Sequence, residues 1–152
     1  MPPLRYLAFF LCALLSAACV GAPAASASGS HRSITAFGAV GDGRTLNTEA
    51  IQKTIDATAA AGGGVVEIPA GTFRSGSIFL KQGVELFLAE GAVLLGSNRL
   101  EDYPKRETRI EGHFEPWRMA LVNAERLEHV RLRGRGKLDG NGILFWAAFW
   151  QR

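Results

Sequence analysis

The spacing of apolar and polar residues changes several times along the chain. Residues 6–20 (YLAFFLCALLSAACV) form an apolar run, whereas between Thr48 and Ala61 the apolar residues recur at roughly helical intervals. From Val65 onward apolar and polar residues alternate, which is typical of strands with one buried face. The pattern therefore predicts a leader, one amphipathic helix and a β-rich remainder.

The leader is the first of these segments. A basic residue, Arg5, precedes the apolar run, and the small residues GAPAASASGS follow it, as in a secretory signal peptide. The run is shorter than the about 20 residues that a membrane-spanning helix needs. We expect residues 1–27 to be removed, leaving a secreted or periplasmic protein with no membrane association. An alternative is lipid attachment at Cys19, which follows small residues.

Composition narrows the function of the remaining chain. Both cysteines, Cys12 and Cys19, lie in the leader, so the exported protein must rely on core packing without disulfides. Loss of Arg5 lowers the formal net charge from +3 to +2. A tract of basic residues interleaved with aromatics is absent, which argues against nucleic acid as a partner. Because the sequence also lacks metal-ligand spacing, we expect no metal and no cofactor.

The predicted helix follows a short predicted strand. We treat residues 28–33 as a linker and residues 34–152 as the domain, with a strand over Ile34–Val40. Thr45 or Asn47 can cap the helix, and Gly62–Gly64 end it, since glycine accepts the left-handed conformation at a helix terminus. A phosphate-binding reading of these glycines fails because they follow a helix and lack a Lys-Ser/Thr pair. The apolar face of the helix comprises Ala50, Ile51, Ile55 and Ala59.

A repeat appears within the alternating region. The segment VEIPAGTFRSGS (66–77) aligns with LFLAEGAVLLGS (86–97) at an offset of 20 residues. A further offset of 44 places Leu86 on Val130, Leu88 on Leu132 and Leu94 on Leu138. The second offset is longer because residues 98–118 read as an inserted loop.

Short strands that recur in this way, with glycines at the corners, predict the stacked coils of a parallel β-helix. The helix would cover the open end of the stack and hide its strand edge. An antiparallel sandwich with chance glycine spacing is the rival interpretation. The β-helix predicts inward-facing, stacked side chains at Val66, Ile68, Leu86, Leu88, Val130 and Leu132.

The same residues resemble a known family. The stretch FGAVGDGRTLNTEAIQKTIDATAAAGGGVVEIPAGTF resembles the opening of the pectin-lyase-like proteins, a superfamily that includes lyases and epimerases. The later SGSIFLKQGVELFLAEGAVLLGS and GKLDGNGILFW resemble, more narrowly, the polygalacturonases of glycoside hydrolase family 28. The resemblance implies an all-β, right-handed parallel β-helix with an N-terminal capping helix, truncated after the first few coils.

The resemblance also implies an exported hydrolase that cleaves galacturonic-acid linkages with inversion. Inversion needs a carboxylic acid and an opposing carboxylate separated by roughly 6.5–9.5 Å. The aspartate, histidine and Arg-x-Lys motifs that carry this chemistry in the family are absent here. We therefore assign no catalytic residue, expect the chain alone to be inactive, and interpret Asp139 in LDGNG as a turn residue.

Candidate substrate contacts lie in the inserted loop. Arg109 can pair with a uronate carboxylate, Trp117 can stack on a sugar face, and Glu111 shares their loop. His113 lies in the same loop and is more consistent with ordinary packing. The expected partner is an acidic plant cell-wall polysaccharide, pectin or polygalacturonate. The alternatives are a non-catalytic, tailspike-like β-helix that binds carbohydrate, or a pectate lyase or epimerase relative.

The C-terminal residues bear on solubility. Trp146, Phe149 and Trp150 fall within the last seven positions and need a surface to cover them. We therefore expect an incomplete coil stack, with the catalytic coils in a longer protein, and poor solubility of this chain alone.

Overall fold

The structure is a computed structural model, which describes residues 29–151, apart from the side chains of Leu144, Ala148 and Phe149. The predicted signal peptide and Cys19 lie outside the described residues. Within residues 29–151, no helix combines the length and apolar character needed to cross a membrane.

The secondary structure alternates short strands with brief turns. The N-terminal part contains β1 (Ser30–Ser33), a 3-10 helix (Ile34–Phe37), β2 (Asp42–Leu46), α1 (Thr48–Ala60), β3 (Gly64–Ile68), β4 (Gly71–Ser75) and β5 (Ile78–Phe79). The middle part contains β6 (Val84–Leu88), β7 (Ala92–Gly96), a 3-10 helix (Leu100–Asp102), β8 (Lys105–Ile110) and β9 (His113–Arg118). The remainder contains β10 (Val122–Asn123), β11 (Arg131–Gly134), β12 (Lys137–Asp139) and α2 (Ile143–Trp150).

The strands form the faces of a parallel coil. One sheet has the order β1-β3-β6-β11, a second has the order β12-β7-β4-β2, and β5 pairs with β10. Every pair in these three sheets is parallel, and crossovers between parallel strands are right-handed as a rule. The predicted right-handed parallel β-helix is confirmed, and the antiparallel sandwich is wrong.

The apolar ladder between the first two full coils is also confirmed. Val66 opposes Leu86 and Ile68 opposes Leu88 in parallel register. Val66, Ile68 and Leu86 are fully buried, and Leu88 is 3% exposed. Each rung removes its neighbour's apolar surface from water, which is the main driving force for stacking.

The third coil departs from the predicted register. Leu132 opposes Leu86, so the offset in this sheet is 46 rather than 44, and Val130 precedes β11. In the neighbouring sheet Leu138 opposes Leu94, as predicted. A constant offset fails because the corners differ in length: Gly134 opposes Leu88 and Lys137 opposes Val93, so residues 135–136 span the corner that residues 89–92 span in the coil below.

The third coil also leaves its inward face open. Leu132 is 47% exposed and Leu138 is 43% exposed, although Leu86 and Leu94 beneath them are fully buried. Leu132 lies above the fully buried Leu86 and so is on the inward side of its strand, but nothing among the described residues covers it on its other side.

The N-terminal segment differs from its prediction. The predicted strand over Ile34–Val40 is wrong, because Ile34–Phe37 form a 3-10 helix that ends at Gly38 with φ of 91°. The first strand instead lies at Ser30–Ser33, within the predicted linker, and pairs with β3. Gly38 can end the turn in this way because glycine tolerates positive φ.

The predicted helix is confirmed, although its expected cap is not. Ile51 and Ile55 are fully buried, whereas Ala50 and Ala59 are partly buried and pack against the core. Asn47 occupies the N-cap position without a side-chain capping bond. Its amide instead accepts the Val40 N–H at 2.7 Å and donates to the Val40 carbonyl at 3.0 Å. Asn47 therefore holds the preceding loop against the helix.

Candidate functional site

The predicted insertion folds mainly as an antiparallel hairpin of β8 and β9. Its turn consists of Glu111 and Gly112, whose φ angles are 49° and 97°, as in the tight turn that suits the twist of a hairpin. Arg109 pairs with Phe114, and Arg106 pairs with Trp117. Side chains alternate between the two faces of a strand, so Arg109 and Trp117 project from opposite faces of the hairpin.

The three predicted contact residues are therefore not brought together on one surface. Glu111 is an exposed turn residue, while Arg109 and Trp117 lie on different faces of the hairpin. His113 is also exposed, with Nε2 3.7 Å from Glu115 Oε1. Arg109, Glu111 and Trp117 stay predictions as sugar contacts.

A cleft of about 610 Å³ lies between the hairpin and the sheet formed by β5 and β10. Its most distinctive contact is that of Arg106, whose guanidinium carbon is 4.0 Å from the centroid of the Phe79 ring. This is cation–π geometry. The cleft is lined by Phe79, Leu80, Arg106, Thr108, Met119, Val122, Asn123, Ala124 and Glu125.

The floor of the cleft is held in place from behind. The Gln52 side chain on α1 accepts the Phe79 N–H at 2.9 Å and donates to the Phe79 carbonyl at 3.0 Å. Gln52 thus makes the two backbone hydrogen bonds with Phe79 that a neighbouring strand would otherwise make. Asn123, which opposes Phe79 in the sheet, donates to the carbonyls of Ile78 at 3.0 Å and Ala120 at 2.7 Å. Asn123 is therefore part of the scaffold.

Sequence reasoning missed Arg106, although a signal for it was present. The pair Glu111-Gly112 has the character of a hairpin turn, and a turn there divides residues 105–118 into two alternating strands. That alternation places Arg106 on the same face as Thr108 and Trp117. Treating the segment as an irregular loop concealed this grouping.

Asp139 has the predicted turn role. Its Oδ1 accepts the Asn141 N–H at 2.9 Å, and its Oδ2 lies 2.7 Å from Lys137 Nζ. The hydrogen bond from Lys137, followed by that from the Asn141 backbone, holds the pKa of the Asp139 carboxyl below its usual value. Asn141, with φ of 49°, donates from its amide to the Gly96 carbonyl at 3.0 Å and so ties this turn to the coil below.

The other aspartates are engaged in local structure too. Asp42 accepts the backbone N–H groups of Arg44 and Thr45, Asp56 pairs with Lys81 at 2.9 Å, and Asp102 accepts the hydroxyl of Ser97. No group of acidic, histidine or cysteine side chains within residues 29–151 is arranged to hold a metal ion.

Comparisons with known proteins agree with this architecture. The family model described as "Rhamnogalacturonase A/epimerase, pectate lyase-like" matches residues 31–91. An exo-poly-α-D-galacturonosidase of Dickeya chrysanthemi is 42% identical over 118 residues, covering 72% of this chain and 19% of that protein. The family 28 exopolygalacturonase structure from Yersinia enterocolitica matches with a TM-score of 0.64 and 39% identity, covering 74% of this chain and 21% of that one.

Enzymes acting on another uronic-acid polymer match over a shorter stretch. A mannuronan C5-epimerase of Azotobacter vinelandii is 48% identical over 58 residues, covering 33% of this chain and 4% of that protein. The chain thus spans about a fifth of the length of the galacturonate-cleaving relatives, at 19% and 21%. The resemblance to family 28 enzymes is confirmed over the matched residues.

Proposed function

We infer that this chain belongs with the family 28 glycoside hydrolases, and we propose that it forms the first coils of a pectin-degrading enzyme of polygalacturonase type. The observation that carries the proposal is the 42% identity to the Dickeya chrysanthemi exo-poly-α-D-galacturonosidase. That identity extends over a β-helix in which the repeat, the capping helix and the LDGNG turn are all present. The proposed substrate is pectin or polygalacturonate.

The catalytic groups of this enzyme would lie on other coils. Inverting hydrolysis needs two carboxyl groups on opposite sides of the scissile bond, whereas the aspartates of this chain, Asp42, Asp56, Asp102 and Asp139, each serve a turn, an ion pair or a hydroxyl. The role of residues 29–151 would be to nucleate the coil stack and to contribute one wall of the substrate cleft.

Export is part of the same proposal. A pectin-degrading enzyme must reach a polymer outside the cell, and the apolar run followed by small residues before Gly29 has the pattern of a secretory leader. We propose a secreted or periplasmic location on that basis. The lyase or epimerase alternative has less support, because the epimerase match covers 33% of this chain against 72% for the galacturonosidase.

A chimera tests the proposal. The aligned opening segment of the Yersinia enterocolitica exopolygalacturonase would be replaced by the matching segment of this chain. We expect the chimera to release reducing ends from polygalacturonate but not from alginate. The Yersinia enzyme lacking that segment, and this chain alone, should both be inactive. A folded, soluble chimera without hydrolysis would contradict the proposed function, and turnover by the isolated chain would contradict its non-catalytic role.

A further inference from the structure

Arg106 is the cation in the cleft whose hydrogen-bonding capacity is unused. Its guanidinium carbon lies 4.0 Å from the Phe79 ring centroid, and no hydrogen bond or salt bridge within residues 29–151 engages its N–H groups. A guanidinium carries five N–H donors in a planar fork. Stacking on an aromatic face leaves the edge of that fork, where the donors lie, available to a ligand.

We propose that Arg106 binds the carboxylate of a uronic-acid residue in the cleft between the hairpin and the β5–β10 sheet. This inference rests on the proposed function and names the cation through which the cleft wall recognises an acidic sugar. The guanidinium would donate two parallel N–H bonds to the carboxylate oxygens, which is the geometry that favours arginine at carboxylate sites.

The remaining lining suits a sugar better than a simple anion. The cleft volume of about 610 Å³ leaves room for more than one pyranose ring, and the apolar wall is formed by Phe79, Met119 and Val122. Thr108 and Glu125 also line the cleft and can exchange hydrogen bonds with sugar hydroxyls. Among residues 29–151, the lining contains one cation, Arg106, and one carboxylate, Glu125. This combination fits a ligand with a single negative charge and several hydroxyls, whereas a phosphate site would concentrate positive charge.

The position of Arg106 is defined by independent parts of the fold. The β8–β9 pairing sets the side of the hairpin from which the arginine projects. On the other side, Gln52 fixes the backbone of Phe79 through both its N–H and its carbonyl. The contact with the Phe79 ring thus orients the exposed Arg106 guanidinium before a ligand arrives, which lowers the entropy that binding must overcome.

The test measures binding, without turnover, on the full chain captured at low density on a biosensor. The probe is trigalacturonate, with galactotriose as the neutral control and trimannuronate as the second uronate. We expect Arg106→Met to weaken trigalacturonate binding by roughly tenfold to a hundredfold, as for a charge-assisted hydrogen bond. The trigalacturonate affinity of Arg106→Lys should lie between that of Arg106→Met and that of the parent chain. Arg44→Met is the matched control, because Arg44 is an exposed arginine that does not line this cleft.

Each outcome bears on the proposal. Equal trigalacturonate binding by Arg106→Met and the parent would overturn it, as would loss of binding in Arg44→Met alone or galactotriose binding as tight as trigalacturonate. An unmodified chain that fails to bind trigalacturonate at low ionic strength would overturn it as well. Preference for trimannuronate would keep the carboxylate site but assign it to alginate. Circular dichroism spectra that match the parent's show that the variants are folded. If the chimera hydrolyses polygalacturonate but Arg106→Met does not change trigalacturonate binding, this inference fails while the proposed function stands.

Discussion

Asp42 shows how a single carboxylate can organise a turn in this chain. Its oxygens accept the N–H groups of Thr45 at 2.7 Å and Arg44 at 2.8 Å, and the Thr45 hydroxyl at 2.8 Å. These bonds, led by that from the Thr45 backbone, lower the pKa of Asp42 from 3.8 to about 2. Because the ionised form is favoured in the folded state, it stabilises the fold above pH 3.8, and this stabilisation disappears as the pH falls to about 2.

We therefore expect Asp42→Asn to reduce the acid dependence of folding. The thermal midpoint of the parent should exceed that of the variant near neutral pH, and the difference should shrink as the pH falls from 3.8 to about 2. Thermal unfolding followed by circular dichroism over this range measures it. Glu128→Gln is the control, since Glu128 is exposed and its side chain makes no hydrogen bond within residues 29–151. A pH-independent difference would contradict the assigned role of Asp42.

Single residues were predictable from the sequence where a local motif determined them. Asp139 precedes a glycine and an asparagine, and such a turn can be inferred from the residues alone. The role of Asn47 was not predictable in this way, because its side chain serves Val40 and not the helix that it precedes. Arg106 likewise depends on Phe79, which is distant in sequence and becomes a neighbour only when the hairpin folds over the sheet.

At the scale of elements, the β8–β9 hairpin depends on the backbone of its turn. Gly112 has φ of 97°, and a Cβ added there would meet nothing within 4 Å. Any destabilisation by Gly112→Ala must therefore come from backbone strain and not from a clash. A left-handed conformation costs an L-residue about 1–2 kcal/mol.

We expect Gly112→Ala to loosen the hairpin without melting the coils. Hydrogen exchange of the β8 and β9 amides should accelerate, roughly tenfold for about 1.4 kcal/mol, while exchange in β3 and β6 stays unchanged. Gly140→Ala is the matched control, because a Cβ at Gly140 also meets nothing within 4 Å and its φ is not in the positive range. Equal exchange rates in the hairpins of Gly112→Ala and the parent would show that the turn is not strained by a side chain.

Elements whose apolar residues recur at a regular interval were predicted well, and elements without such a pattern were not. The helix predicted over Thr48–Ala61 extends over Thr48–Ala60 in the structure. The prediction was accurate because the apolar spacing and the glycines that follow mark both ends of the helix. The 3-10 helix over Ile34–Phe37 is too short to show a period, and its apolar residues read as a strand. The register of β11 was misplaced because corner lengths vary while strand patterns repeat.

At the scale of the whole molecule, the coil stack has two unlike ends. At the first, α1 contacts β1 and β3 and presents buried Ile51 and Ile55 to the core. At the other, β11 and β12 are the outer strands of their sheets, and Leu132 and Leu138 are 47% and 43% exposed. A repeat array needs its terminal apolar surface covered, and an open strand edge can pair with another chain.

We therefore expect this chain to self-associate through the rung formed by β11 and β12. Leu132→Lys should reduce association, because a lysine on an exposed strand opposes edge-to-edge pairing. Leu100→Lys adds the same charge at a residue that is 42% exposed but belongs to a 3-10 helix and not to β11 or β12, and it should leave association unchanged. Sedimentation velocity over a range of concentrations measures the effect. A monodisperse monomer for the parent chain, or equal effects of the two lysines, would show that the open rung does not drive association.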